Sequence, residues 1–168
     1  MTRLFFLFVV LLAGFGCKKA THKPAGNQRV EIYGLEGYQL VPNKCQVNPS
    51  TAVLNTTPVI SNSEIISYSK GSHEFRLTNP GKEASKAFEN MFAFAVTVDR
   101  EVIYYGIYKP FTSSSSCDHS ITMNIAFSTG NLSMILGYPS TMAGVTIDDQ
   151  RNNPKLLAAL DAQGKLSP

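Results

Sequence analysis

The chain has no tryptophan, only three cysteines and few charges: 16% of its 168 residues are Asp, Glu, Lys or Arg. The 15 basic and 12 acidic residues leave a net charge of +3, and the basic ones are scattered without interleaved aromatics. That pattern excludes the electrostatic footprint of a nucleic-acid-binding surface. No Gly-x-Ser-x-Gly elbow, phosphate-cradling glycine loop, paired carboxylate signature or zinc-ligand spacing occurs, so no motif names a reaction, a cofactor or a metal. Long apolar runs are missing as well. The longest, Leu4 to Gly16, has thirteen residues before Cys17-Lys18-Lys19. A membrane span needs about 20 residues to cross roughly 30 Å of hydrocarbon, so this run is too short to be one.

What stands at the N-terminus is a cationic start, a short apolar run and a small residue directly before a cysteine. This is the pattern of a bacterial lipoprotein signal, in which Cys17 is acylated and becomes the mature N-terminus. An ordinary cleaved secretory signal is the competing reading, but it places no demand on the residue after the cut. The box is a relaxed one, with Gly14 and Phe15 where Leu and a small residue are usual. Relaxed boxes followed by Cys-Lys-Lys resemble those of Bacteroidetes-type lipoproteins. Residues 1–16 are therefore expected to be the signal, 17–28 a lipidated tether that includes His22, and 29–168 one domain. Lys18, Lys19 and Lys23 would lie next to the acyl chains, where each gains about 1 kcal/mol from an anionic leaflet. Without Arg3, the 15 basic residues become 14 against 12 acidic, a net of +2, which implies no polyanionic partner.

With Cys17 assigned to lipid, Cys45 and Cys117 remain in a chain sent to an oxidising space. A disulfide is the simplest use for them, closing a long loop and stabilising the fold by about 4 kcal/mol in the chain-entropy model. Three alternatives stay open: two free thiols, a zinc site with His73 or His119, and a nucleophile at Cys117-Asp118-His119. Zinc has no paired spacing to support it, and adjacent residues on an extended chain point to opposite sides, which works against a Cys117–His119 pair.

A body of about 140 residues is one domain by length and can bury a proper core. Alternation predicts two short strands or one bent strand over Val30 to Leu35 and Tyr38 to Val41, a strand at His73 to Thr78 with Phe75 and Leu77 inward, and a hairpin of Ala93 to Val98 with Val102 to Tyr108 across Asp99-Arg100-Glu101. A second hairpin pairs Ile121 to Phe127 with Leu132 to Leu136. In the first hairpin Tyr104 and Tyr108 share a face and Tyr105 takes the other, as structural strand aromatics do. Ser61 to Glu64 reads as a capped helical turn, and Asn79-Pro80 opens a helix with Ala84, Ala87, Phe88 and Met91 on one side. Asn153-Pro154 starts a closing helix that Gly164 ends, with Asp148 and Asp149 favourably placed at its N-terminus. The residues from Lys109 to Ser120, with Pro110 and four consecutive serines, read as a long loop able to display binding groups. The expected fold is α+β: a single small domain, mainly antiparallel sheet with two or three short helices.

Two resemblances accompany these segments. Ile65 to Ser69, His73 to Thr78, Phe94 to Asp99, Val102 to Gly106, the serine loop and Asp148 to Asn153 with Gly164-Lys165-Leu166 resemble a family of small uncharacterised bacterial lipoproteins. Phe75-Arg76-Leu77-Thr78, Phe88 and Ala95 to Asp99 with Val102 are more distantly similar to the periplasmic head subdomain of SecD. The second resemblance implies a small α+β unit and covers about residues 60 to 125. Together they lead to a membrane-anchored lipoprotein, in the outer membrane facing the periplasm, acting as a non-enzymatic binding or accessory module. Its partners would be the membrane, through the lipid, and an envelope protein, met by the sheet face or the 109–120 loop. The alternative is an envelope enzyme built on Cys117 and His119, with Asp118.

Overall fold

A computed structural model describes residues 28–168. The expected signal at 1–16, Cys17 and the tether as far as residue 27 lie outside the described residues. Nine strands form one sheet: β1 (Val30–Gly37), β2 (Val53–Leu54), β3 (Ile65–Ser69), β4 (Glu74–Leu77), β5 (Ala93–Val98), β6 (Glu101–Tyr108), β7 (Cys117–Ile125), β8 (Leu132–Tyr138) and β9 (Leu166–Ser167). Their spatial order is β2-β1-β5-β6-β7-β8-β4-β3-β9. Two helices accompany them, α1 (Asn79–Ser85) and α2 (Pro154–Asp161). Pairing is antiparallel except between β6 and β7 and between β3 and β9. The result is a single small domain built on a mostly antiparallel sheet.

The β5–β6 hairpin is the clearest case of local sequence setting local structure. It closes on Asp99 and Arg100, both in the left-handed region with φ of 51° and 65°, so the turn has two central residues and Glu101 belongs to the strand. Positive φ at both centres is the twist-matched geometry of a two-residue hairpin, which Asp tolerates because its carboxylate bonds locally. The Asp99 side chain also reaches outside the turn, accepting from Arg29 N, 70 residues away in sequence, at 3.0 Å.

Alternation along β1, β5, β7 and β8 sends Val30, Ile32, Phe94, Val96, Val98, Ile121, Met123, Leu132 and Met134 into one core with Phe88 and with Leu156, Ala159 and Leu160 of α2. Phe75 and Leu77 point inward as expected. Phe94 stands edge-on to both Phe88 and Tyr104 at 6.4 Å, the arrangement that aromatic quadrupoles favour. A second, smaller core lies on the opposite face. It gathers Val47, Ala93, Ile107 and Cys117 beneath Leu35, Tyr38, Cys45, Ala52, Tyr105 and Tyr138. Tyr104 and Tyr105 thus divide between the two faces.

Several expectations shift. Ser61 to Glu64 does form a capped turn, with Ser61 N and Oγ both donating to Glu64 Oε2 at 2.6 and 2.7 Å. The chain then leaves it as strand β3, which pairs with β4 and β9. Helix α1 is capped by Thr78, whose hydroxyl accepts from Gly81 N at 3.2 Å, one residue before the expected Asn79. After seven residues it tightens into a 3-10 segment at Lys86–Asn90, which is where Phe88 reaches the core. Strand β7 begins at Cys117, so the serine loop runs only over 109–116, and it ends at Ile125, leaving Phe127 fully exposed. Asn153 does cap α2, its Oδ1 accepting from Lys155 N at 2.9 Å, and Gly164 adopts φ of 65° just past the end.

Candidate functional site

Parallel neighbours usually need a crossover of a dozen or more residues, commonly a helix. Here eight residues, 109–116, join β6 to β7, and the two strands make a ladder of only three pairs, Gly106–Tyr108 with Ile121–Met123. Upstream of it, β6 over 101–105 and β7 over 117–120 part from each other. The cause is visible in the pairing of β7 with β8. Cys117 faces Tyr138 and Ile121 faces Leu136, so four steps along β7 match two along β8, and the surplus residues bulge.

The parting strands open a cleft of about 420 Å³. Val102, Ile103 and Tyr105 of β6 form one wall and His119, Ser120 and Ile121 of β7 the other. Gln46 and Val47 flank it on one side, Ile147, Asp148 and Gln150 on the other. The volume falls in the range of small-ligand sites, and the mixture of an apolar lining with a few polar groups is their usual composition.

The bulge also decides where the expected site residues go. Asp118 and His119 would lie on opposite sides of a regular strand. At the irregularity they meet, His119 Nδ1 lying 2.7 Å from Asp118 Oδ1 with both side chains about a quarter exposed, 27% and 24%. Nε2 of the same ring makes no hydrogen bond among the described residues. Ser120 Oγ is taken, since it donates to Cys45 O at 2.6 Å. Cys117 is taken too: its Sγ lies 2.03 Å from that of Cys45, with the Cα atoms 5.1 Å apart. These contacts tie the 38–52 loop to the cleft wall, and that loop closes on itself through the Leu40–Val47 bridge. Burial raises the pKa of Tyr105 above the usual phenol value, keeping a neutral hydroxyl in the wall.

Asp148 and Asp149 do not sit on the N-terminus of α2. Asp148 accepts from Gln150 Nε2 at 2.7 Å, and Asp149 grips Arg151 with both carboxylate oxygens, each at 2.8 Å. Arg151 is in turn fixed to the sheet: its Nη1 donates to Met134 O, and its own carbonyl accepts from Tyr68 OH. The hydrogen bond from Arg151, more than any other cause, holds the Asp149 carboxyl below the usual carboxylate range. The pair therefore staples the 148–153 segment over the cleft's rim. Beneath it the Tyr104 hydroxyl is buried without a partner among the described residues, and burial pushes its pKa well up.

His73 lies apart from the cleft, half-buried at the start of β4 with φ of 56°, and His119 and the cysteines do not approach it. No group of three or more His, Cys, Asp or Glu gathers closely enough to hold a metal ion among the described residues. No helix among them is long and apolar enough to cross a membrane. Sequence reasoning placed Tyr105 and Gln150 in ordinary structure and passed over Gln46 and Ile147. The one signal that could have found the cleft is Gly106 between two tyrosine-rich halves of a strand, since a glycine inside a strand marks a close approach. Comparison with family models, with curated proteins and with solved structures finds no match to this chain.

Proposed function

We propose that this chain is a lipid-anchored binding module of the bacterial cell envelope, attached through Cys17 and holding its ligand in the cleft between β6 and β7. The observation that carries the binding role is the cleft itself. Strands β6 and β7 pair over three residues and part over the rest of their length, and a cysteine pair and a serine hydroxyl brace the opening. The address rests on residues 1–19, where the cationic start, thirteen-residue apolar run and Gly16-Cys17-Lys18 stand. From the likeness to the SecD head we take the arrangement of sheet and helix and not translocation.

Binding is favoured over catalysis by what the cleft's polar groups are doing. Cys117 is at bonding distance from Cys45, Ser120 is committed to a carbonyl, and the Asp118–His119 pair has neither of them to activate. A proton carrier beside no nucleophile serves as a hydrogen-bonding group.

Two measurements in intact cells test the two halves separately. Palmitate labelling is expected in the full chain and lost in Cys17→Ser; equal absence of label in both disproves the anchor. A photo-crosslinking residue at Tyr105 is expected to capture a partner that the same residue at exposed Lys86 does not. Identical products at the two positions would disprove the cleft as the binding place.

A further inference from the structure

The other end of β6 carries a second feature, which shares no lining residue with the cleft and does not rest on it. Lys109 is 4% exposed, yet it has no carboxylate within ion-pairing distance among the described residues. Its ammonium donates to Ser115 Oγ at 2.8 Å and Ser115 O at 3.2 Å, and the Phe92 ring stands 5.7 Å away. These are neutral partners. A buried cation is ordinarily matched by an anion, because desolvation without an opposite charge is costly.

A pocket of about 320 Å³ opens in front of this lysine, lined by Tyr108, Ser113 and Ser115 and by Met91 and Phe92. Its lining joins polar groups to apolar ones, and two aromatic side chains face solvent, Phe92 of the lining at 44% exposure and Phe111 of the adjoining loop at 61%. Glu89 lines the same pocket, and its charge works against a group carrying two negative charges. The serine loop is held in this shape from outside, since Tyr138 OH donates to Phe111 O and Ser113 O.

We propose that this pocket binds a carboxylate carried on an apolar group, with the carboxylate on Lys109 and the serine hydroxyls and the apolar part against Phe92 and Met91. A peptide C-terminus and a fatty acid both present that chemistry, and capture of a terminal carboxylate by a preformed nest of donors is an established mode of recognition.

The test uses the folded domain with its cysteine pair intact and follows backbone amide signals by NMR. Acetyl-Ala-Leu with a free carboxylate is expected to move the signals of residues 108–116 and 92, and its C-terminal amide to bind at least tenfold more weakly. Octanoate is the second arm: tighter binding than the peptide assigns a lipid source, weaker binding a peptide source. Lys109→Met, which keeps the length of the side chain without its charge, is expected to lose at least tenfold in affinity with little change in Tm. Equal binding of acid and amide, a response to inorganic phosphate alone, undiminished binding by Lys109→Met, or no response to any probe would overturn the proposal. Should Lys109→Met fail to fold, the comparison of acid with amide on the unaltered protein still decides.

Discussion

Gly106 has no side chain because none fits. A Cβ there would stand 2.2 Å from Phe94 Cζ and 2.7 Å from the Ile121 carbonyl oxygen, one an aromatic ring of the main core and the other backbone of the neighbouring strand. Gly106 is also where the short β6–β7 ladder begins, paired with Ile121. An added methyl must therefore push the ring aside or part the strands further. Gly106→Ala is expected to cost about 1–3 kcal/mol in urea unfolding; a loss below about 0.5 kcal/mol would show that Phe94 turns away freely. His73 poses a different question at the same scale. Its Nε2 lies 3.1 Å from Asn152 Nδ2, a contact that a neutral ring satisfies by accepting from the amide. Burial first and the Arg151 charge second lower its pKa, so the folded state binds the proton more weakly than the unfolded chain does. Its neutral form thus favours folding above an unfolded-state pKa of about 6.5, and that advantage fades as pH falls through the window below it. Thermal unfolding should show stability falling from pH 7 to pH 5, with a shallower fall in His73→Asn, a residue that tolerates the positive φ. Identical slopes in the two proteins would remove His73 as the cause.

Elements differ in how openly the sequence announces them. The β5–β6 hairpin was legible because alternation and a turn-forming Asp99 agree, and α2 because Asn153, Pro154 and Gly164 mark both its ends. Asn153 offers a direct test: Asn153→Ala removes the acceptor for Lys155 N and should cost about 1 kcal/mol by chemical denaturation, while Asn153→Ser should restore most of it. Equal losses in the two variants would mean that the side-chain cap contributes nothing. Strand β3 was illegible for a physical reason. Ile65-Ile66-Ser67-Tyr68-Ser69 buries only Ile65 and Tyr68, since its register against β4 slips between Ile65 and Ser67, and a period of two is lost. The first residues of β7 escaped in the same way. A bulge is defined by its partner strand, which lies thirteen or more residues away in sequence, and nothing local to Cys117-Asp118-His119 distinguishes it from the end of a serine loop. The candidate site was consequently only partly readable: Cys45, Cys117 and His119 were singled out, whereas their assembly around a split between parallel strands depends on tertiary pairing.

At the scale of the whole molecule, the sheet separates two cores of unequal strength. The larger is backed by α2 and a long list of buried side chains; the smaller has four fully buried members and is roofed by the 38–52 loop. That loop has one short 3-10 turn, Pro49–Thr51, and a single bridge, Leu40 with Val47, beyond its turn hydrogen bonds, and Val47 is its one fully buried residue, so little of its own packing holds it against the sheet. The link between Cys45 and Cys117, 72 residues apart, supplies what packing does not. Restricting an unfolded loop of that length stabilises the folded state by about 4 kcal/mol in the chain-entropy model, a large part of the roughly 5–15 kcal/mol typical of a domain. The double variant Cys45→Ala, Cys117→Ala should therefore lose about 2–5 kcal/mol on denaturation, and using both substitutions avoids leaving a free thiol. The loss should also be uneven in space. Amide hydrogen exchange should quicken in residues 45–49 and 117–120, which flank the cleft, and stay slow in α2 and β5, which belong to the larger core. Ligand capture at Tyr105 should weaken with it, because the Gln46–Val47 flank of the cleft then loses its covalent link to β7 and keeps the hydrogen bond from Ser120 to Cys45 O. A loss below about 1 kcal/mol with unchanged exchange would reverse this assignment, making the small core self-sufficient and the cysteine pair dispensable to the cleft.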